Sequence, residues 1–161
     1  QSGIKTRFSE GLVRQKKYED MILKEIRKMN LPEELLYLPH VESSYNPNAV
    51  SYCHARGLWQ VMKNTGRLYG NGTKRGLHDP EISTKIALRL LQDNYNKTGS
   101  WELALIAYNS GADGMQIAIK QLNTQDVCII IDQYKGPRFK FASRNFISQF
   151  LAVKRIMDCR E

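Results

Sequence analysis

The chain has 161 residues, 42% of them hydrophobic and 25% charged, an ordinary composition for a soluble protein and a length that one domain accommodates. No apolar run approaches the roughly 20 residues that a bilayer-spanning helix needs; the longest runs from Val127 to Ile131. The net charge of +8 suits polyanionic partners, but the basic residues are scattered, dense only from Lys135 to Arg144, and carry no helix-turn-helix, zinc-finger or RNA-binding signature. Nucleic acid is therefore not expected as a partner.

The chain starts at Gln1, which reads as a processed or trimmed product with any signal or anchor upstream. Tyr18, Met21, Ile22, Ile26 and Met29 recur at helical spacing and predict an amphipathic helix from about Ser9 to Met29. Residues 1–30 read as an N-terminal helix of the same domain as 31–161. Leu31-Pro32-Glu33-Glu34 opens a second helix, with an early proline and acids in the first turn. Asp79-Pro80 starts another, whose apolar positions Ile82, Ile86, Leu90 and Leu91 lead to a stop at Thr98-Gly99. Ser100 caps a short helix from Trp101 to Tyr108, and Met115 to Leu122 is helical. Val127 to Tyr134 fits a short helix or a buried strand equally well. A last helix spans Ser143 to Asp158, with Phe146, Phe150, Val153 and Met157 on one stripe. The polar stretches Ser43–Gly57, Tyr69–Asp79 and Gln133–Phe141 read as loops able to carry binding groups. The fold class is mostly α, with a cleft edged by loops.

Cys53, Cys128 and Cys159 lack metal-ligand spacing and allow at most one internal disulfide; at least one is expected to be a small buried hydrophobe. No metal and no cofactor are expected.

Glu42 stands apart. Leu31, Leu35, Leu38 and Glu42 follow at spacings of four, three and four, so a carboxylate occupies the end of a leucine stripe. Burial there, and the negative end of the helix dipole, both raise its pKa and make it a proton donor near neutral pH. Asn46-Pro47 ends the helix just beyond.

The stretch Leu35-Leu36-Tyr37-Leu38-Pro39-His40-Val41-Glu42-Ser43-Ser44-Tyr45-Asn46-Pro47-Asn48-Ala49-Val50-Ser51 resembles the first motif of the soluble lytic transglycosylases, which share a lysozyme-like fold with goose-type lysozyme. The second and third motifs are matched by Gly57-Leu58-Trp59-Gln60 and Ala107-Tyr108-Asn109-Ser110-Gly111, and the likeness is strongest to the membrane-bound lytic transglycosylase D branch. The resemblance implies a single catalytic acid/base, Glu42, acting on the bond between N-acetylmuramic acid and N-acetylglucosamine in peptidoglycan. It implies substrate contacts by Ser43, Tyr45, Gly57, Trp59, Gln60, Tyr108, Asn109, Asp113 and Phe146, with Tyr108 and Asn109 holding the N-acetyl group. In physical terms, Gly57 permits close backbone approach to a sugar, Trp59 offers a flat face and Gln60 offers both donor and acceptor. A periplasmic or secreted monomer without membrane contact by this segment is implied as well.

One departure matters. The family's Glu-Thr-Arg-x-Tyr-Val segment aligns with Ala142-Ser143-Arg144-Asn145-Phe146-Ile147, so Phe146 stands where a tyrosine hydrogen-bonds near the acid. Tyr45, Ser43 and Tyr134, in that order, are the candidate replacement donors. No second carboxylate pairs with Glu42 by motif; Asp79 reads as a helix cap, and Asp113 could reach the cleft. Alternatives are a true lysozyme, including the preference for N-deacetylated glycan seen in some relatives from predatory bacteria, where Asp113 would suit an ammonium group, and a wall-binding domain without turnover.

Overall fold

A computed structural model describes residues 2–137 and 139–159, in two compact units that divide between Arg89 and Leu90. Among the described residues every regular element is helical, and extended pairing is limited to the isolated antiparallel bridges Val50–Arg56 and Arg56–Val61. No helix among them is long and apolar enough to cross a membrane.

In the first unit, α1 spans Ser2–Lys28 and so begins before the expected Ser9. No proline interrupts those first turns, and the hydrogen-bond ladder continues through them. Its fully buried positions are Ile22 and Ile26, one turn apart. Asn30, at φ 54°, ends the helix in the left-handed conformation that asparagine tolerates, and Leu31 N–H bonds back to the Ile26 carbonyl at 3.1 Å.

The second expected helix is two pieces. Glu33–Tyr37 forms a 3-10 turn and Leu38–Ser43 forms α2, with Pro39 in its first turn. Proline has no N–H and its ring collides with the carbonyl four residues back, so an α-helix running through Pro39 would be blocked. The leucine stripe survives the break. Leu35 in the 3-10 turn and Leu38, the residue that follows the turn and opens α2, lie three apart, a spacing at which 3-10 side chains eclipse, and Leu38 and Glu42 lie four apart on α2. α2 ends at Ser43 rather than at Asn46-Pro47, because Ser44 (φ 52°) and Tyr45 (φ 58°) are both left-handed.

Within the stretch expected to be loop, Thr73 caps α4 (Lys74–His78) by accepting from Gly76 N–H at 3.0 Å, and α3 (Lys63–Leu68) precedes it. Helix α5 runs from Pro80 to Thr98, capped as expected by Asp79 Oδ1, which accepts from Ile82 N–H at 2.8 Å.

In the second unit, Ser100 caps α6 (Trp101–Ser110) through Leu103 N–H at 3.2 Å. Residues 103–107 of α6 are all buried, with α7 (Ala112–Leu122) and α9 (Phe141–Asp158) packed on it. The ambiguous segment is helix α8, Val127–Gln133; Asp126 settles it locally by capping Ile129 N–H at 3.0 Å. Phe146, Ile147 and Phe150 form the buried face of α9. All three cysteines are free and exposed, so none is the buried hydrophobe expected. Cys53 lies in the 51–54 turn, and Cys128 and Cys159 at a helix start and a helix end, where neighbours cover little.

Candidate active site

Glu42 sits one residue before the end of α2, a short helix whose preceding residues Leu38, Pro39 and His40 are all buried. Its carboxyl is closely surrounded while part of the residue stays open to solvent. Burial raises its pKa from the ordinary 4.5 to about 8, with no charged neighbour contributing. At neutral pH it is therefore mostly a carboxylic acid, able to give a proton to an acceptor on its open side.

The chain around it is held by first-unit contacts. Ser43 Oγ lies 2.7 Å from the Leu58 carbonyl, to which it donates, and so ties the residue beside Glu42 to the second motif. Arg14 Nη1 donates to the Ser44 carbonyl at 3.0 Å, satisfying an oxygen at the C-terminal end of α2. His40 is buried, with Nε2 2.6 Å from Gln15 Oε1 and its ring edge-on to Tyr45 at 4.7 Å. Desolvation lowers its pKa to about 4, so this imidazole is neutral and serves as a packed prop for α2 rather than a second acid. Its signal in the sequence was the apolar company it keeps between Pro39 and Val41. Two consecutive left-handed non-glycine residues, Ser44 and Tyr45, begin two positions after Glu42, which is strain of the kind that persists where surrounding structure over-determines it.

Several of the expected contact residues turn out to build the site's frame. Tyr45 is fully buried and its hydroxyl donates to the Leu36 carbonyl, and Ser43 is committed to Leu58, so the first two candidate replacement donors are occupied. Tyr45→Phe is expected to cost about 1 kcal/mol of stability, read as a lower Tm, with no change in the pH profile of turnover. Trp59 is fully buried and donates from Nε1 to Thr84 Oγ1 at 2.8 Å, so its ring is a core element and no flat face is open to a sugar. Gly57 (φ 77°) is pressed against the protein itself. A Cβ there would lie 2.1 Å from the Leu77 carbonyl oxygen, so the close approach expected for a sugar is made instead to the chain. Gln60, left-handed at φ 49°, spends its amide hydrogens on the carbonyls of Gly57 at 3.0 Å and Ala49 at 3.3 Å, pinning the loop.

In the second unit, Phe146 is buried in the face of α9 and its ring is core packing rather than a ligand surface. Asn109 Oδ1 accepts from Ser143 Oγ at 2.8 Å, which joins α6 to α9 and leaves the Asn109 amide hydrogens for an acceptor. Tyr108 is half-buried beside it. Asp113 is largely exposed, 3.7 Å from Lys97 Nζ, and borders a cavity of roughly 310 Å3 with Ser110, Ile117, Tyr134 and Phe139. No cluster among the described residues has the makings of a metal site.

These features define a helical protein whose first unit holds a glutamate, raised in pKa by burial, at the end of a short helix that runs into a braced, strained turn. A family model described as the Transglycosylase SLT domain matches residues 20–129, and the chain belongs to that family. It is 40% identical to the membrane-bound lytic murein transglycosylase D of Escherichia coli over 113 residues, covering 67% of this chain and 25% of that protein. To the membrane-bound lytic murein transglycosylase C of Histophilus somni it is 35% identical over 136 residues, covering 69% of this chain and 38% of the other. The chain thus spans about a quarter of the length of the first of these relatives. Its fold is that of the 70 kDa soluble lytic transglycosylase of Escherichia coli, with a TM-score of 0.70 at 22% identity over 84% of this chain and 23% of that one. An inactive mutant of the lytic transglycosylase Slt of Pseudomonas aeruginosa matches with a TM-score of 0.71 at 20% identity, covering 86% of this chain and 23% of that one. The mostly α, lysozyme-like architecture expected from the sequence is the one observed.

Proposed function

We propose that this chain cleaves the glycan strands of peptidoglycan as a lytic transglycosylase, with Glu42 as the only acid/base. The observation that carries this reading is the glutamate of the first motif held mostly protonated at neutral pH by burial. Glu42 donates its proton to the oxygen linking muramyl C1 to the next sugar, which leaves as the 4-hydroxyl. The substrate's own N-acetyl group assists at C1, the part that a second carboxylate plays in most glycosidases. The Glu42 carboxylate then takes the proton of the muramyl 6-hydroxyl as that oxygen bonds to C1, which gives a 1,6-anhydro end and restores the acid. Tyr108 and the Asn109 amide are proposed to hold the N-acetyl group, with the Ser143 contact orienting Asn109. The site of action is the bacterial wall outside the cytoplasm, and the working form is a monomer.

Mass spectrometry of digested sacculi tests this reading. Products one water lighter than the hydrolysed glycan are expected; reducing ends alone would make the enzyme a lysozyme instead. That second reading is favoured by Phe146, which removes a hydroxyl the family uses near the acid. A preference for N-deacetylated glycan belongs with it, supported by exposed Asp113 at the cavity of the second unit.

A further inference from the structure

A second recess lies in the first unit, roughly 450 Å3 in volume, bordered by Arg56, Lys63, Arg67, Lys74, Thr73 and Leu77. Four cations face one concavity, and none of them forms an ion pair with a carboxylate among the described residues. Like charges converging without a counter-ion raise one another's electrostatic energy, an arrangement that an incoming anion relieves. His78 braces the recess: its Nδ1–H donates to the Pro47 carbonyl at 2.8 Å, and its Nε2 faces Arg56 Nη1 at 3.4 Å and helps set that guanidinium in place.

The recess also backs onto the second motif. Arg56 bridges to Val50 and Val61 on either side of residues 57–60, and the carbonyl of Leu77, which lines the recess, is the oxygen against which Gly57 is pressed. We infer that this recess binds a carboxylate of the peptide stems that hang from the glycan strand, placing peptide-bearing strands on the first unit. The inference rests on the wall-glycan reading above and names a further part of its substrate. A discrete recess fits a single oxyanion and its attached chain, with two guanidinium forks and two ammonium groups to pair with its oxygens. A bilayer would present its phosphates as a plane, although Met62 and Leu68, neighbours of Lys63 and Arg67 in the chain, are exposed and make lipid the competing source of an anion.

The test uses Arg67→Gln with Lys74→Gln in a Glu42→Gln background, so that binding is read without turnover. Three probes are compared: sacculi with intact stems, glycan strands stripped of peptide by an amidase, and vesicles of phosphatidylglycerol. The expected result is a loss of about tenfold or more in affinity for intact sacculi, steepening at low salt, with binding to stripped strands unchanged. Equal binding of parent and double variant to intact sacculi overturns the inference, as does an equal loss on stripped strands. A loss confined to vesicles assigns the recess to lipid and overturns it too. Failure of the glycosidase reading shows separately, as absence of cleavage by the chain with Glu42 intact.

Discussion

Glu42→Gln is expected to lower turnover on sacculi by about a thousand-fold or more, since no second carboxylate is proposed to share the work. The same substitution should make the protein more stable at alkaline pH. The glutamate's pKa is raised from 4.5 to about 8 in the fold, so between those values the native state keeps a proton that the unfolded chain has released. Stability contributed below the ordinary carboxylate range is therefore lost progressively as pH rises, and the loss levels off above about pH 8. At one pKa unit per roughly 1.4 kcal/mol, and discounted for the side open to solvent, the cost at pH 9 is on the order of a few kcal/mol. Glutamine carries no such term. Its Tm advantage should be near zero at pH 4 and about 5 °C or more at pH 9, as read by thermal unfolding across pH. Wild-type turnover should fall above about pH 8 as the acid deprotonates. Residual activity near a tenth of wild type would assign proton donation to another group, and a pH-independent Tm difference would show that Glu42 titrates as an ordinary carboxylate.

Gly57→Ala is the second large effect. Its Cβ would stand 2.1 Å from the Leu77 carbonyl oxygen and 3.2 Å from the Leu77 carbonyl carbon, at a backbone φ of 77° that alanine rarely adopts. Main chain on both sides has to move, because the obstructing atoms belong to no flexible side chain. A cost of about 3 kcal/mol or more follows, seen as a Tm lower by roughly 6 °C or more. Gly70→Ala separates the two contributions. It too has a positive φ, 104°, but nothing lies within 4 Å of its Cβ, so only the backbone penalty of about 1–2 kcal/mol applies. If both variants lose the same stability, the contact with Leu77 contributes nothing.

Local chemistry was legible along the chain wherever a side chain and its partner are close in sequence. Asp79 and Ser100 cap α5 and α6 as expected, because an N-cap needs only the amide three residues on. Asp126 does the same for α8, and its capping role was available as the signal that would have settled helix against strand. The leucine stripe leading to Glu42 was also visible, although its continuity comes from a 3-10 turn handing over to α2 at Leu38 rather than from one helix.

Burial of the motif residues was a different matter. Trp59, Tyr45 and Phe146 are amphipathic or aromatic side chains that suit a ligand face or a core equally, and only the partners brought from elsewhere choose between them. Trp59 meets Thr84, Tyr45 meets the Leu36 carbonyl, and Gly57 meets Leu77, none of them a helical neighbour. The basic recess was illegible for the same reason: Arg56, Lys63, Arg67 and Lys74 read as scattered charges until the turns between them fold them around one concavity.

The sequence by itself determined the helical class, the caps and the motif-bearing carboxylate, since each depends on spacing along the backbone. Only the tertiary structure decided which motif residues stay open to a ligand and how far the acid's pKa moves, because desolvation depends on every atom packed nearby, whatever its place in the chain.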